Sequence, residues 1–345
     1  MNIEIIKTAD NTLKEKGFGC YSSCLDVLKA VKRAGNIAQL TVCESLADLD
    51  AVVARNPDFV VLAAKYIPVK NGYNIWFSDY FSKKHIVFSG SDRETLKFDC
   101  DNGLAKIYLG NMGINTARHF TAMPKQFLSQ DSLPLTFPLF VKSIDALNGN
   151  GIDDLSFVNT FAEFEAKVLS IYTLDDQPAL VEEYLPGREF KVAIICNGNG
   201  EMKLSSMEML PAKYSSDLRI LGQKTLQQKT EIFIEGKLSD DSRKVTEFAK
   251  SVFLGLGLRG FGRIDVRMNK YGQCFFMKAN LVPCMAFGTS YFPKACEIAN
   301  NLTYDQVICL MIEECSNRAI SEKTPKKVLK QRNLHWPLTS VAKIS

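Results

Sequence analysis

A segment at residues 260–283 combines a guanidinium, a carboxylate and an amide at a spacing that suits phosphate chemistry. An alternating strand, a turn that contains Gly272 and a returning apolar strand predict a β-hairpin. Arg263 and Asp265 are expected on one face of it, and Asn280 is expected near Asp265 on the paired strand. Two oxygen donors beside a guanidinium suit Mg²⁺ and the phosphates that it bridges. The alternative for this segment alone is a surface hairpin with ordinary polar residues.

A lysine followed by a glycine-rich loop forms a second candidate phosphate site. Residues 137–142 predict a strand that ends at Lys142, and the loop at residues 147–152 carries Gly149 and Gly151. Backbone N–H groups can approach an anion where no Cβ intervenes, and an ammonium group neutralises its charge. Asn-Gly pairs are also common in plain turns, but the position directly after Lys142 favours phosphate binding.

Several motifs, in order along the chain, resemble the ATP-grasp superfamily and, within it, the D-alanine–D-alanine ligase group. Over the hairpin the family pattern is Gly-Arg-Ile-Asp, a turn, apolar residues, Glu-x-Asn and then x-x-Pro-Gly-Met. The positions that match this pattern are Arg263, Asp265, Asn280, Pro283 and Met285.

The chain departs from the family pattern at three positions. Lys278 stands where the family has a metal-bridging glutamate, and Cys284 stands where it has a glycine whose N–H faces the reacting oxyanion. Asn102 replaces a lysine that contacts ATP phosphates in the family. These departures leave the resemblance of the fold intact, but they change the charge of the expected site.

The resemblance implies where a nucleotide binds. Residues 179–190 match the family segment that joins the two halves of the grasp and whose backbone reads the adenine edge. A purine needs a flat apolar slot with a few donors and acceptors, which the main chain of a strand supplies. Glu189 matches the glutamate that holds the ribose hydroxyls, since a carboxylate can accept two hydrogen bonds. The other expected nucleotide contacts are Glu182, Glu183, Tyr184 and Leu185. For Glu182 and Glu183 the alternative is a pair of solvated strand ends.

Five residues are implied as the catalytic set. Lys213 and Tyr214 match a family Ala-Lys-Tyr, in which the lysine reaches the γ-phosphate and the tyrosine helps to close a loop over the substrates. Ser290 matches the substrate-binding hydroxyl. Arg263 and the backbone N–H of Cys284 are expected to stabilise a tetrahedral oxyanion.

The implied cofactors are ATP and Mg²⁺, with Mn²⁺ as its substitute. Asp265 and Asn280 are the expected metal ligands, and Lys142 is expected on the phosphates. Lys278 could contact phosphate directly and supply part of the charge that is missing at Asn102.

The elements that must position these residues follow an α/β order. From Ile3 to about Gly90, strands and helices alternate, which predicts a small parallel sheet. The resemblance implies an ATP-grasp fold with three lobes, of which the first contains this sheet. The expected divisions are an N-terminal substrate lobe at 1–95, a small ATP-grasp subdomain at 96–180, a large subdomain at 181–320 and a basic tail at 321–345.

Composition excludes several classes of protein. The chain has 345 residues, of which 46% are hydrophobic, so it can bury a large core. A formal net charge of +4 does not argue for nucleic acid. Ten single cysteines without a C-x-x-C pair predict reduced thiols in a cytoplasmic protein. The chain shows no signal region and no apolar run long enough for a membrane span.

The resemblance implies an ATP-dependent carboxylate–amine ligase. In such a reaction ATP phosphorylates a carboxylate, an amine attacks the acyl phosphate, and phosphate leaves. The expected substrates are small and amino-acid-like; neither nucleic acid nor membrane is expected as a partner, and a homodimer stays open. Two alternatives remain: an ATP-binding pseudoenzyme or regulatory subunit, because Lys278 changes the metal site by two charge units, and another ATP-grasp chemistry such as amino-acid addition to a protein.

Overall fold

The N-terminal lobe contains the parallel sheet that the alternating pattern predicts. The computed structural model describes residues 1–9, 17–69, 73–144, 152–211, 231–235 and 240–323. The first three strands are β1 (Asn2–Lys7), β2 (Ile37–Val42) and β3 (Phe59–Leu62), and they are connected by the helices α1 (Tyr21–Arg33) and α2 (Leu46–Ala54). The strands are parallel in the order β2-β1-β3, so each connection carries a helix back over the sheet.

The rest of this lobe is built from short elements. They are the paired strands β4 (Tyr66–Ile67) and β5 (Ile75–Trp76) and the helices α3 (Phe77–Lys83), α4 (Arg93–Cys100) and α5 (Asn102–Asn111). The expected division at 95/96 falls within α4. The side chains of Asp92 and Asp101 accept from the third residue beyond each, which begins α4 and α5 as separate helices.

A four-stranded antiparallel sheet follows, which we call the small sheet. Its strands are β6 (His119–Ala122), β7 (Leu139–Ser143), β8 (Phe157–Val158) and β9 (Ala179–Glu183), and α6 (Phe161–Asp175) packs on it. Their order is β6-β9-β7-β8. The expected division at 180/181 cuts through β9, although the whole of β9 pairs with β6 and β7. The division stays a prediction, and because of this pairing we propose that it lies at residues 184–188, between β9 and the next strand.

The large sheet has five antiparallel strands in the order β12-β11-β10-β13-β14. They are β10 (Glu189–Cys196), β11 (Met202–Pro211), β12 (Glu231–Glu235), β13 (Phe261–Met268) and β14 (Cys274–Asn280), and the last two form the predicted hairpin. The helices of this lobe are α7 (Asp240–Gly255), α8 (Tyr291–Asn300) and α9 (Tyr304–Lys323). No helix within the described ranges is both long and apolar enough to cross a bilayer.

The two faces of the large sheet have different partners. Ser206 in β11 makes a 2.8 Å hydrogen bond to Ser242 in α7, so this side-chain face packs on α7. The neighbouring Ser205 accepts from Asn300 of α8 at 2.6 Å, so the opposite face lies under α8. Because successive side chains of a strand alternate between faces, the polar residues of β10 and β13 share the α8 side.

Candidate active site

Two adjacent strands of the large sheet hold cations and carboxylates on one face. In the pairing of β10 with β13, Lys191 lies opposite Asp265, and Glu189 lies opposite Arg267. Lys191 Nζ is 3.0 Å from Asp265 Oδ2 and 3.2 Å from Glu189 Oε1. Arg263 donates to both oxygens of Asp265, from Nε at 2.7 Å and from Nη2 at 3.2 Å. The structure confirms that Arg263 and Asp265 share a face, and it adds a lysine from β10.

The pairing of β13 with β14 places a third cation beside Asp265. Asp265 lies opposite Lys278, and Arg263 lies opposite Asn280. Asn280 is therefore a diagonal neighbour of Asp265 and not its direct partner. Lys278 makes no hydrogen bond or ion pair with any residue that the structure describes. We call the six charged side chains on this face the Asp265 cluster: Glu189, Lys191, Arg263, Asp265, Arg267 and Lys278.

The surrounding charges decide the ionisation of this cluster. Burial alone would raise the pKa of Asp265, but Arg263, Lys191 and Lys278 outweigh it and hold the pKa well below its usual range. Burial lowers the pKa of Lys278 to about 8, against the attraction of Asp265. At neutral pH the carboxylate is thus ionised, and Lys278 still carries an ammonium group.

The donor set of the Asp265 cluster does not fit a resident Mg²⁺ ion. Both oxygens of Asp265 already accept from Arg263, and one of them also lies beside Lys191. Over the ranges that the structure describes, no group of three or more His, Cys, Asp or Glu side chains could hold a metal ion. Mg²⁺ needs near-octahedral oxygen ligands, and an ammonium group in place of a ligand repels it. The metal-binding role of Asp265 and Asn280 stays a prediction, and the contacts described here do not support it.

A second buried cluster lies in the small sheet. Glu182 Oε1 is 3.0 Å from Lys106 Nζ, and Oε2 is 2.9 Å from Lys142 Nζ. Burial alone would raise the pKa of Glu182, but Lys106 and Lys142 lower it to about 2. The solvated-end alternative is therefore wrong for Glu182, whose side chain is only 2% exposed. We call Lys106, Lys142 and Glu182 the Glu182 cluster. Lys106 Nζ also donates to Phe276 O at 3.0 Å, which connects this cluster to β14.

The segment after β9 was expected to read an adenine edge. The N–H of Glu183 donates to Arg118 O at 3.0 Å, and the N–H of Tyr184 donates to Pro138 O at 3.4 Å. Both groups are thus engaged within the protein. The N–H of Leu185 has no backbone partner among the residues described, so it is a donor that a purine could use. The nucleotide roles of these residues stay predictions.

Cys284 and Ser290 lie in contact. Ser290 Oγ donates to Cys284 Sγ at 3.0 Å. The loop after β1 packs directly on this segment, because Met285 N–H donates to Phe18 O at 2.8 Å. Gly19 lies close to Cys284, because a Cβ added at Gly19 would be 3.0 Å from Cys284 Sγ. The N-terminal lobe therefore closes over the two residues expected to contact substrate.

This contact predicts a marked effect of Gly19→Ala. Gly19 has φ +116°, and an added Cβ would lie 2.7 Å from Ser23 Oγ as well as close to Cys284. We expect a loss of about 2–4 kcal/mol in unfolding free energy, from backbone strain and overlap together. Gly35→Ala is the control, because φ is +82° there but nothing lies within 4 Å. Urea unfolding that shows equal losses for both variants would contradict a close contact at Gly19.

Lys191 and Tyr291 are two of the site residues that had not been expected from the sequence. Lys191 Nζ lies 5.4 Å and Arg263 Cζ 5.6 Å from the ring centroid of Tyr291 in α8, which covers both cations. Lys191 follows Glu189 by two residues, so the period of a strand could have placed it on the same face. No local signal could have placed Tyr291 there, because α8 reaches the sheet only through tertiary packing.

The remaining expected residues fall in two groups. Asn102 is buried, its Nδ2 donates to Ile144 O at 3.3 Å, and its Oδ1 has no partner among the described residues. The others lie outside the described residues, namely Gly149, Gly151, Lys213 and Tyr214. Their phosphate and substrate contacts stay predictions.

Comparisons with known proteins agree with this architecture. The chain is similar to the D-alanine–D-alanine ligase of Shouchella clausii (strain KSM-K16), with 26% identity over 73% of this chain and 68% of the relative. It is 28% identical to the ligase of Aquifex aeolicus (strain VF5) over 58% of this chain and 64% of the relative. The chain thus spans about two thirds of the length of these relatives.

Solved structures show the same fold. The D-alanine–D-alanine ligase from Bacillus anthracis superimposes with a TM-score of 0.73 and 19% identity, over 93% of this chain and 99% of that one. The Bacillus anthracis ligase complexed with ATP gives a TM-score of 0.70. The predicted ATP-grasp fold is therefore confirmed. The sequence model of the family "D-ala D-ala ligase C-terminus" matches residues 106–313, more than half of the chain, and this protein therefore belongs to that family.

Proposed function

We propose that this protein is an ATP-dependent carboxylate–amine ligase that forms an amide through an acyl phosphate. The observation that carries the proposal is that residues 106–313, which match the ligase family, contain both charge clusters in full. A pseudoenzyme is the less favoured alternative, because Lys142, Arg263 and Asp265 all remain in short, buried ion pairs. The substrates fall in the class of small amino-acid-like molecules. We further infer a cytoplasmic location from ten free cysteines.

The reaction needs charge neutralisation and positioning more than covalent chemistry. A carboxylate oxygen attacks the γ-phosphorus, and the bond to the β-phosphate oxygen breaks to release ADP. The amine nitrogen then attacks the acyl carbon, the C–O bond to phosphate breaks, and the amine loses a proton to solvent. Arg263 is the donor in the Asp265 cluster suited to the tetrahedral oxyanion, and Lys142 is suited to phosphate. Ser290 would position the substrate. No step is assigned to Mg²⁺ or Mn²⁺, because the donor set does not fit either.

The ribose role of Glu189 gives a binding prediction. Glu189 lies 3.2 Å from Lys191 and 3.4 Å from Arg267, so its carboxylate is held at the edge of the cluster. We expect the protein to bind ATP about 10-fold more tightly than 2′-deoxy-ATP, and Glu189→Gln to abolish this preference. Calorimetric titration of both nucleotides measures it, with the exposed Glu201→Gln as control. A preference that persists in Glu189→Gln would exclude Glu189 from the ribose site.

Turnover is tested by ADP release. The full chain is mixed with ATP and pairs of candidate amino acids, and ADP is followed by a coupled assay. We expect release only when both a carboxylate and an amine substrate are present, together with formation of a dipeptide that mass spectrometry detects. Binding of ATP without ADP release for any pair would favour the pseudoenzyme. Transfer of an amino acid to a protein, and not to a small amine, would favour the alternative ATP-grasp chemistry of amino-acid addition to a protein.

A further inference from the structure

The two clusters together carry more positive than negative charge. The Asp265 cluster has four cationic side chains against two carboxylates, and the Glu182 cluster has two lysines against one carboxylate. The nearby Asp99 does not change this balance, because it pairs with the buried Lys65 at 2.9 Å. Buried charge without a counter-charge is unfavourable. Among the described residues, the Asp265 cluster thus has two more cations than carboxylates, and the Glu182 cluster has one more.

In the Asp265 cluster, Lys278 is within reach of an anion, whereas Lys191 and Arg263 lie deeper. Lys278 is half-buried, and it has no hydrogen bond or ion pair with a described residue. Lys191 and Arg263 are buried beneath the ring of Tyr291, which restricts their side-chain freedom. Ammonium and guanidinium groups that are already ordered lose little entropy when they bind phosphate oxygens. The cluster is therefore a preformed site for an anion with several charges.

We propose that Lys191 and Lys278 bind the polyphosphate of the nucleotide directly, without a divalent cation. This inference rests on the proposed function, because it takes ATP as the ligand. In a metal-dependent site, carboxylates hold Mg²⁺ and the metal neutralises the phosphates. Here Lys278 lies opposite Asp265 in the ladder, and Lys191 occupies the other side of the same carboxylate. Two ammonium groups thus supply the positive charge that one Mg²⁺ ion would bring.

The charge balance agrees with this assignment. ATP without metal carries close to four negative charges at neutral pH, whereas the magnesium complex carries about two fewer. The described residues of the Asp265 cluster have two more cations than carboxylates, and this excess suits the metal-free form better. Mg²⁺ should therefore compete with the protein for the phosphates.

The test is calorimetric titration of the full chain with ATP, once in EDTA and once in excess Mg²⁺. We expect ATP to bind at least as tightly in EDTA. We also expect inorganic triphosphate to bind in EDTA, because the phosphates make the contacts. In the double variant Lys191→Thr with Lys278→Glu, ATP affinity in EDTA should fall at least about 30-fold, and Mg²⁺ should restore part of it. Lys203→Thr, at an exposed position of β11 in the same sheet, is the control.

The outcomes separate this proposal from the proposed function. ATP that binds only with Mg²⁺, with an affinity that the double variant leaves unchanged, would overturn metal-free binding and leave the ligase proposal standing. ATP that binds in neither condition would overturn both. A second variant, Lys278→Gln, changes only a half-buried side chain and keeps the test valid if the double variant does not fold. It should weaken triphosphate binding in EDTA, and unchanged binding would count against the proposal.

Discussion

Glu182→Gln is expected to cost this protein about 3–5 kcal/mol of unfolding free energy. Glu182 is the carboxylate between the buried Lys106 and Lys142, at 3.0 and 2.9 Å. Glutamine keeps the shape of the side chain but leaves two buried ammonium groups without a counter-charge. Urea unfolding of both proteins at pH 7 measures the difference.

The neighbouring glutamate is a matched control. Glu183 can also be changed to glutamine, but its ion-pair partner Arg118 is 71% exposed. An exposed pair of this kind contributes about 0–1 kcal/mol, so Glu183→Gln should be nearly neutral. Similar losses in the two variants would contradict the burial of the Glu182 cluster.

The unfolding free energies of wild type and Glu182→Gln should also respond differently to acid. The pKa of Glu182 is lowered from 4.5 to about 2, because Lys106 and Lys142 outweigh the effect of burial. A carboxylate with a depressed folded pKa stabilises the protein fully above its unfolded pKa and loses this contribution as the pH falls through the folded value. Between about pH 4.5 and pH 2, the unfolding free energy of wild type should therefore fall more than that of Glu182→Gln. Parallel curves over that interval would contradict the assignment.

Asp265→Asn is expected to lower stability by about 3–5 kcal/mol and, at the same time, to tighten the binding of inorganic triphosphate. Asp265 holds Arg263 and Lys191 at 2.7 and 3.0 Å, and it faces Lys278 across the ladder. Its removal leaves these cations with one carboxylate fewer, which destabilises the free protein and favours an added anion. Thermal unfolding with and without triphosphate in EDTA measures both effects.

Asp241→Asn is the control for this second prediction. Asp241 also has two cationic partners, Arg188 at 2.7 Å and Lys244 at 3.8 Å, but its side chain is 36% exposed. Solvent compensates the loss of such a carboxylate, so about 0–1 kcal/mol is expected, with no change in triphosphate binding. If Asp265→Asn behaves like this control, the Asp265 cluster is not a cooperative charge site.

Local pattern was enough to place several site residues on their elements. The period of two along a strand put Arg263 and Asp265 on one face. The apolar run at 137–141 predicted a strand that ends at Lys142, and β7 ends one residue later, at Ser143. The alternation of strand and helix predicted the parallel sheet of the first lobe. Motif order predicted the ATP-grasp fold. These inferences depend only on residues that are close together in the chain, and their geometry is dictated by the backbone.

The partners of those residues were decided by the tertiary structure. Lys106 pairs with Glu182, which lies 76 residues later, and Lys191 pairs with Asp265, which lies 74 residues later. The register of β13 with β14 set Lys278, and not Asn280, directly opposite Asp265. Register depends on how whole strands pack and pair, so a shift by one residue would exchange every cross-strand neighbour. The sequence by itself determined the types of charge and the elements that carry them. The pairing of distant strands decided which charges meet. That pairing depends on long-range burial and not on the alternation of side chains along one strand.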